Sequence, residues 1–227
     1  MSLLAPPPSR FGAGGAEPWA AALRGASTAL ALVSEDPAVP VEHLDVARWT
    51  APADEADRSA LDDLAGPLLD VGCGPGRMVR AALDAGLQAW GVDADPVAVA
   101  TCRAIGLPVL RRSVFDRLPL EGAWSALLLL DGNVGIGGDV PAMLARCRAL
   151  LRPGGALVVE AHPDRTRDAA ALRRVRDAAG GVSEAFPWSQ VGEPALLRAA
   201  TAFDLDRRWT VDGRSFVRLR RPSRSAL

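Results

Sequence analysis

Lysine and tyrosine are both absent from this chain of 227 residues, and only two histidines occur in it. The basic residues are therefore all arginines, and 26 of them stand against 27 acidic residues. A balanced chain without a basic patch argues against a general nucleic-acid-binding protein. The scarcity of histidine also leaves few candidates for a general base that works near neutral pH.

Cysteine is scarce as well, and long apolar runs are missing. Cys73, Cys102 and Cys147 lack the spacing of a metal motif, so we expect reduced thiols, no metal site and a cytoplasmic location. The longer apolar runs, such as residues 126–130, are far too short to cross a bilayer. No charged segment precedes an apolar core near residue 1, so we expect neither a signal peptide nor membrane association. The sequence predicts no particular oligomeric state.

From residue 66 onward, short apolar runs alternate with helical patterns, which indicates an α/β fold with a mainly parallel sheet. The predicted strands of this sheet are residues 68–71, 89–93, 108–111, 124–130 and 156–160. The predicted helices are residues 77–85, 96–104, 141–151, 172–179 and 194–202. An Asp212-Gly213 turn joins two final strands, residues 205–211 and 215–219, in an antiparallel hairpin.

The first 65 residues differ from the rest in composition. Residues 1–15 are rich in proline, glycine and alanine and are predicted to be disordered. Helices are predicted over residues 19–33 and 54–64. We therefore expect an N-terminal tail and helical cap over residues 1–65, followed by one domain over residues 66–227.

The most informative segment is the turn after the first predicted strand. Asp70 ends that strand, and the segment from Gly72 to Gly76 reads Gly-Cys-Gly-Pro-Gly before a helical pattern begins. Such a turn lets the backbone pass close to a ligand and directs the free N–H groups of a helix start toward it. Seventeen residues after Gly76, the second predicted strand ends in Asp93, the usual place for an acid that binds ribose hydroxyls.

Together, these motifs resemble those of the class I S-adenosylmethionine (SAM)-dependent methyltransferases. The resemblance covers residues 66 to about 221 and implies a Rossmann-like, seven-stranded, mostly parallel sheet with an antiparallel C-terminal hairpin. It implies SAM as cofactor, with Asp70 near the methionine part and Asp93 on the ribose. The other implied cofactor contacts are Gly72, Cys73, Gly74, Gly76 and Ala94, with Cys73 read as a packing residue rather than a nucleophile. A nicotinamide-binding protein is the main rival, but its usual Gly-x-Gly-x-x-Gly places the third glycine one residue later.

The adenine end departs from the family pattern. Many members carry an acid just after the third strand that accepts a hydrogen bond from the adenine amino group. Ser113 or Val114 occupies that position here, and Asp116 follows it. Ser113, Asp116 or the backbone remain alternatives for this contact, while Val114 and Phe115 are expected to flank the ring.

A glycine-rich loop follows the fourth predicted strand, where the family brings substrate and methyl group together. It contains Asp131 and Asn133 and lacks the Asn/Asp-Pro-Pro-Tyr/Phe motif of enzymes that methylate nucleic-acid bases or glutamine. The resemblance implies that Asp131 binds the cofactor amino group or the acceptor, and that Asn133 binds the acceptor. Ordinary turn formation is the alternative, with Asp139 as N-cap of the next helix.

The remaining candidates lie on the acceptor side. His162 follows the fifth predicted strand and is the candidate general base, with a structural or substrate-contacting histidine as the alternative. His43, Trp49 and Trp188 are predicted to line the acceptor pocket, although aromatic residues in caps often serve packing.

We therefore expect a SAM-dependent enzyme that methylates an oxygen or nitrogen atom of a small molecule, such as a secondary metabolite. A protein or peptide methyltransferase, and a SAM-binding protein without transferase activity, remain alternatives.

Overall fold

The computed structural model describes residues 18–25 and 29–223. Its helices are α1 (Pro18–Leu23), α2 (Val46–Thr50), α3 (Glu55–Ser59), α4 (Arg77–Asp84), α5 (Pro96–Ala104), α6 (Val140–Leu150) and α7 (Glu193–Ala199). Its strands are β1 (Ala29–Val33), β2 (Glu42–Asp45), β3 (Leu68–Val71), β4 (Ala89–Asp93), β5 (Val109–Arg111), β6 (Trp124–Leu129), β7 (Leu151–Ala161), β8 (Asp168–Asp177), β9 (Phe186–Val191), β10 (Asp204–Val211) and β11 (Arg214–Arg220). The predicted disordered tail, residues 1–15, lies outside the described residues.

The central sheet has seven strands in the order β10-β11-β7-β6-β3-β4-β5. The five strands from β7 to β5 pair in parallel, while β11 pairs antiparallel with both β7 and β10. Strand β6 lies at the centre, and all six of its residues are buried, as expected for a parallel strand covered on both faces. The predicted fold class, with its antiparallel C-terminal hairpin, is confirmed.

The order of the strands fixes where ligands can bind. Strands β3 and β6 are neighbours, yet the chain leaves β3 toward β4 on one side and leaves β6 toward β7 on the other. The connections therefore diverge at the carboxyl ends of β3 and β6, which opens a crevice at that edge of the sheet.

A second sheet covers this edge and was not predicted. We call it the cap sheet; it contains four antiparallel strands in the order β2-β1-β8-β9. The helix predicted over residues 19–33 is wrong, because α1 ends at Leu23 and residues 29–33 form β1. The helix predicted over residues 172–179 is also wrong, because residues 168–177 form β8. The cap is therefore part helix and part sheet.

The sequence of β8 explains the second error. Ala169, Ala171, Arg173 and Val175 alternate with more exposed residues, but a buried arginine in this series hides the apolar side of the strand. The inward face of the cap sheet packs on its own apolar cluster, which contains Leu32, Val175, Phe186 and Trp188 among others. The predicted division at residue 65 stays a prediction; strands β8 and β9, which follow it, complete the cap sheet.

Candidate cofactor and acceptor site

A single cleft of about 420 Å³ lies between the carboxyl edge of the central sheet and the cap sheet. The core contributes the glycine turn, the ends of β4, β6 and β7, and the turn between β10 and β11. The cap contributes Trp19, Leu32, residues 42–45, Arg48 and Trp49 from its N-terminal part, and residues 188–191 from β9. This cleft brings together most of the residues that the sequence analysis singled out, which are Asp70, Gly72, Cys73, Gly74, Asp93, Ala94, Val114, Asp131, Asn133, His162, His43, Trp49 and Trp188.

All three glycines of the turn have a positive φ, but the surroundings of Gly74 and Gly76 differ. A Cβ on Gly74 would meet nothing nearer than the Trp19 ring, 3.9 Å away, so its bare Cα faces open space in the cleft. A Cβ on Gly76 would instead lie 2.5 Å from Leu107 Cδ1. Gly76 is thus required by packing and does not line the cleft, whereas Gly74 is placed for close approach of a ligand.

Cys73 serves packing at this turn. Its side chain is buried, and its Sγ packs where a Cβ on Gly91 would lie. The thiol of Cys102 hydrogen-bonds to the carbonyl of Gly74 at 3.3 Å. Hydrogen bonding to Cys102 and burial both raise the pKa of the Cys73 thiol, so the packing interpretation fits its surroundings.

Asp93 lies at the end of β4, beside the glycine turn. Its carboxylate accepts backbone N–H groups from Gly74 at 2.8 Å and from Asp95 at 2.8 Å. Burial raises the pKa of Asp93 to about 6, against the lowering effect of these two hydrogen bonds. Each oxygen retains a further lone pair, so the carboxylate can still accept from two vicinal hydroxyls of a ribose.

Asp70 is the penultimate residue of β3 and is 3% exposed. Burial and the nearby charge of Asp131 together raise its pKa to about 7, against the opposing charge of Arg77. The carboxyl group of Asp70, at the floor of the cleft, therefore titrates near neutral pH.

An ionic network lies at this floor; its arginines are Arg48, Arg77 and Arg214, and its carboxylates are those of Asp54, Asp57, Asp131 and Glu160. Arg214 forms a bidentate pair with Glu160, at 2.8 Å for each bond, and also bonds to Asp57 at 2.7 Å. Arg77 pairs with Asp57 and, at 2.6 Å, with Asp131. The arginine hydrogen bonds and charges hold the pKa of Asp57 and of Glu160 below the usual range, although burial alone would raise both.

Asp131 lines the cleft together with Glu160 and the three arginines of this network. Arg48 of α2 binds its Oδ1 and Arg77 of α4 binds its Oδ2, so both carboxylate oxygens are engaged. Its backbone N–H donates to Glu160 at 2.8 Å, and its φ is +54°, a conformation that Asp tolerates better than most residues. Asp131 is therefore held rigidly between the cap and the core.

The glycine-rich loop after β6 serves packing. The side-chain amide of Asn133 donates to the carbonyls of Val71 and Gly72, at 2.9 and 3.0 Å, and so braces the glycine turn. A Cβ on Gly135 would lie 1.9 Å from the carbonyl oxygen of Ser189, so the loop docks closely on β9. Asp139 is the N-cap of α6 and accepts from Ala142 N–H at 2.9 Å, as predicted. The Asn133 amide nitrogen is thus occupied by the turn instead of facing an acceptor.

At the adenine end, the structure separates the candidates. Ser113 and Val114 line the cleft, whereas Phe115 and Asp116 do not. The Asp116 carboxylate accepts from the backbone N–H of Ser113 at 3.0 Å and closes its own turn. Phe115 is 42% exposed and packs near Gly137. The structure therefore favours Ser113 or the backbone over Asp116 for this contact.

His162 follows β7 and lines the cleft. Its Nδ1 accepts a hydrogen bond from the backbone N–H of Asp164 at 3.1 Å. A neutral ring that accepts at Nδ1 carries its proton on Nε2, which makes Nε2 a donor. In this arrangement, the ring offers an N–H group to a ligand and no lone pair for a proton, which works against the predicted role as general base.

The roof of the cleft holds residues that the sequence analysis did not single out as site residues. Strand β2 contributes Glu42, strand β9 contributes Gln190, and α1 contributes Trp19. Arg48, Arg77 and Arg214 complete this set on the side of the ionic network. No local motif marks them, because they come together only when the cap packs on the sheet.

Within residues 18–25 and 29–223, no group of three or more His, Cys, Asp or Glu side chains is arranged to hold a metal. No helix in the same part of the chain is long and apolar enough to cross a membrane.

Comparison with known proteins agrees with this geometry. Residues 68–155 match a family model described as a methyltransferase domain. This segment runs from β3 to the start of β7 and contains the glycine turn, Asp93 and Asp131. A search of curated proteins finds no match.

Solved structures with this fold are numerous, and three illustrate it. A SAM-dependent methyltransferase from Bacteroides fragilis, in complex with S-adenosylhomocysteine, has a TM-score of 0.74 at 20% identity, covering 95% of this chain and 98% of that one. The 1,6-didemethyltoxoflavin-N1-methyltransferase of Burkholderia thailandensis has a TM-score of 0.53 at 22% identity, covering 74% and 79% of the two chains. A sugar N-methyltransferase from Streptoalloteichus has a TM-score of 0.54 at 18% identity, covering 77% and 88%.

Proposed function

We propose that this chain, whose residues 68–155 match a methyltransferase domain, is a class I SAM-dependent methyltransferase that methylates an oxygen or nitrogen atom of a small molecule. The observation that carries the proposal is the cleft that joins the cofactor-type turn at Gly74 and Asp93 to the residues of the cap. Its volume of about 420 Å³ falls in the usual range for small-molecule sites.

The residues of this cleft fit SAM. The open space at Gly74 is a cradle that any Cβ would fill, and the Asp93 carboxylate beside it suits a ribose. SAM supplies a methyl group activated by its sulfonium sulfur. We propose further cofactor contacts from Asp70, Gly72, Ala94, Val114 and Asp131.

The chain itself orients the methyl donor and the acceptor and keeps water away from them. The ionic network fixes Asp131 at the end of β6, and the cap sheet closes the cleft over the carboxyl edge of the central sheet. Such fixed geometry holds donor and acceptor in line, which accounts for much of the acceleration in reactions of this type. The cap also excludes water from the transferring methyl group.

The cap favours a small molecule over a folded protein as acceptor. Trp19, Trp49 and Trp188 line the cleft from the cap, and the loop after β6 docks on β9 through an isolated bridge between Ile136 and Trp188. A long peptide would have to displace this bridge to enter. Two of the similar structures act, by their descriptions, on toxoflavin precursors and on sugars, which are small molecules.

The proposal also includes a cytoplasmic location without a nucleic-acid partner. It is supported by three cysteines that are free and buried, as in reducing compartments, and by the balanced charge of the chain.

The first test measures binding of S-adenosylhomocysteine by calorimetry and methyl transfer from SAM to a library of small molecules by mass spectrometry. Asp93→Ala removes the ribose acceptor and should weaken S-adenosylhomocysteine binding by about 1.5–3 kcal/mol, as for hydrogen bonds to charged groups. Asp84→Ala, at the exposed end of α4, is the control and should bind normally. Unchanged affinity in Asp93→Ala, or methylated peptide without methylated small molecule, would contradict the proposal.

A further inference from the structure

The charges that line the cleft do not cancel. Arg48, Arg77 and Arg214 are the three arginines on the acceptor side, and each is paired with carboxylates of the ionic network. Their ion-pair partners are four carboxylates, those of Asp54, Asp57, Asp131 and Glu160. Any further carboxylate without a cationic partner adds negative charge to the cleft.

Glu42, Asp45 and Asp212 are such additional carboxylates. All three line the cleft, and within the described part of the chain none forms an ion pair with an arginine. Asp45 caps α2 by accepting from Arg48 N–H at 3.0 Å, and Asp212 lies in the tight turn between β10 and β11. Asp45 and Asp212 thus add negative charge to the cleft, which favours a cationic ligand over an anionic one.

Glu42 is the carboxylate of this group that the protein orients. Its Oε2 accepts from the side-chain amide of Gln190, whose own oxygen accepts two bonds from Arg167, at 2.7 and 3.2 Å. Among the described residues, nothing donates to Oε1 of Glu42. The nearby guanidinium of Arg173, which is 2% exposed, bonds to the backbone carbonyls of Leu32 and Pro40, and the charge of Glu42 acts on it at longer range.

Three tryptophans line the same cleft as this carboxylate, namely Trp19, Trp49 and Trp188. The rings of Trp19 and Trp49 pack edge to face with centroids 5.2 Å apart. Tryptophan faces attract cations through their ring quadrupole, and aromatic walls are a recurrent way to bind ammonium groups. Carboxylate and tryptophans together therefore suit an ammonium group better than a neutral hydroxyl.

Building on the proposed function, we propose that the acceptor is a small amine, recognised through Glu42 and the cap tryptophans, and that its nitrogen takes the methyl group. The ammonium form binds and loses one proton to water. The nitrogen lone pair then forms the N–C bond while the C–S bond breaks, and its electron pair stays on sulfur as S-adenosylhomocysteine. The methylated product leaves as an ammonium ion.

The test is a library of aromatic and aliphatic primary and secondary amines, each matched to the alcohol and the carboxylate of the same skeleton, such as tryptamine, tryptophol and indole-3-acetate. Methyl transfer from SAM is followed by mass spectrometry, and binding to the S-adenosylhomocysteine complex by calorimetry. Amines should be methylated on nitrogen and bind about tenfold or more tightly than their partners, the equivalent of about 1.4 kcal/mol.

Variants make the assignment specific. Glu42→Gln keeps an oxygen for the Gln190 amide but removes the charge, and it should lose the preference for amines while binding S-adenosylhomocysteine normally. Glu35→Gln removes an exposed carboxylate that pairs with Arg174 outside the cleft, and it should keep that preference.

The outcomes separate the two proposals. Transfer to alcohols or carboxylates, a library without any amine product, or a Glu42→Gln variant that still prefers amines would overturn the amine assignment and leave SAM binding intact. A protein that does not bind S-adenosylhomocysteine at all would instead overturn the proposed function.

Discussion

At the scale of single residues, Gly76 of the turn is needed for packing, whereas Gly74 is placed for ligand contact. Gly74 faces open space in the cleft, and a side chain there would occupy it. Gly74→Val should therefore abolish S-adenosylhomocysteine binding in calorimetry while circular dichroism shows a folded protein. Its left-handed φ should also cost about 1–2 kcal/mol of stability.

Gly86 provides a matched control for that prediction. It has a φ of +80° at the end of α4, and nothing lies within 4 Å of its built Cβ. Gly86→Val should lose a comparable amount of stability in denaturant unfolding but bind normally. If Gly74→Val also binds normally, the cofactor does not pass over this turn.

His162 gives a second prediction at this scale, because its hydrogen bond to Asp164 leaves Nε2 as a donor. With an identified acceptor, His162→Ala should lower turnover by less than about tenfold, since positioning rather than proton removal is lost. A general base would be worth about 10²–10⁴-fold. A loss in that larger range would restore the role that the sequence alone suggested. His162→Gln, which keeps a side-chain donor, should retain more activity than His162→Ala.

At the scale of elements, the ionic network joins the cap helices to three strands of the core. Arg214 of β11 is its hub, with a side chain that is 13% exposed and partners on α3 and β7. Arg214→Met would leave Asp57 and Glu160 buried without their main cation. We expect a loss of about 3–5 kcal/mol in denaturant unfolding, as for the removal of one partner from a buried pair.

Arg198→Met is the control for the network. Arg198 pairs with Asp168 on the surface, where both side chains are more than half exposed. Such pairs contribute about 0–1 kcal/mol, so this variant should unfold almost as the wild type does. Equal losses in Arg198→Met and Arg214→Met would mean that the network does not join cap and core.

At the scale of the whole molecule, the buried Asp70 makes stability depend on pH. Its folded pKa is about 7 against 3.8 for the free group, so the folded state binds the proton more tightly. Unfolding releases that proton between these pH values, and the stability that Asp70 contributes therefore falls as pH rises from about 4 to 7.

Asp70→Asn removes this penalty. Without cofactor, the variant should gain Tm relative to wild type as pH rises from 5 to 8, by an amount equivalent to about 1–3 kcal/mol. Asp57 and Glu160, whose pKa values are lowered, act in the opposite direction but are present in both proteins. Asp84→Asn, on the surface, should show no such trend; a constant difference for Asp70→Asn would contradict the raised pKa.

The central sheet and the cofactor turn could be predicted from local signals in the sequence. Strands β3, β4 and β6 are short, mostly apolar runs, and every residue of β3 and β6 is buried, as in parallel strands covered on both faces. The turn at residues 72–76 and the acid at Asp93 are local signals, because close backbone approach needs glycine at fixed positions in the chain. The N-caps Asp95 and Asp139 are equally local, since a cap acts on N–H groups two or three residues away.

The acceptor side could not be predicted in the same way, because its contacts join segments that are distant in the chain. Strand β1 is an apolar run that helix and strand patterns share, and its pairing with β8 joins residues about 140 positions apart. Glu42 contacts Gln190 across 148 positions, and Arg48 contacts Asp131 across 83, so no local pattern predicts either contact. The hydrogen bond at His162 Nδ1 comes from a backbone N–H two residues away, whose direction depends on the path of the chain after β7. Such contacts form only when the cap packs on the central sheet, and a local sequence pattern carries no record of that packing.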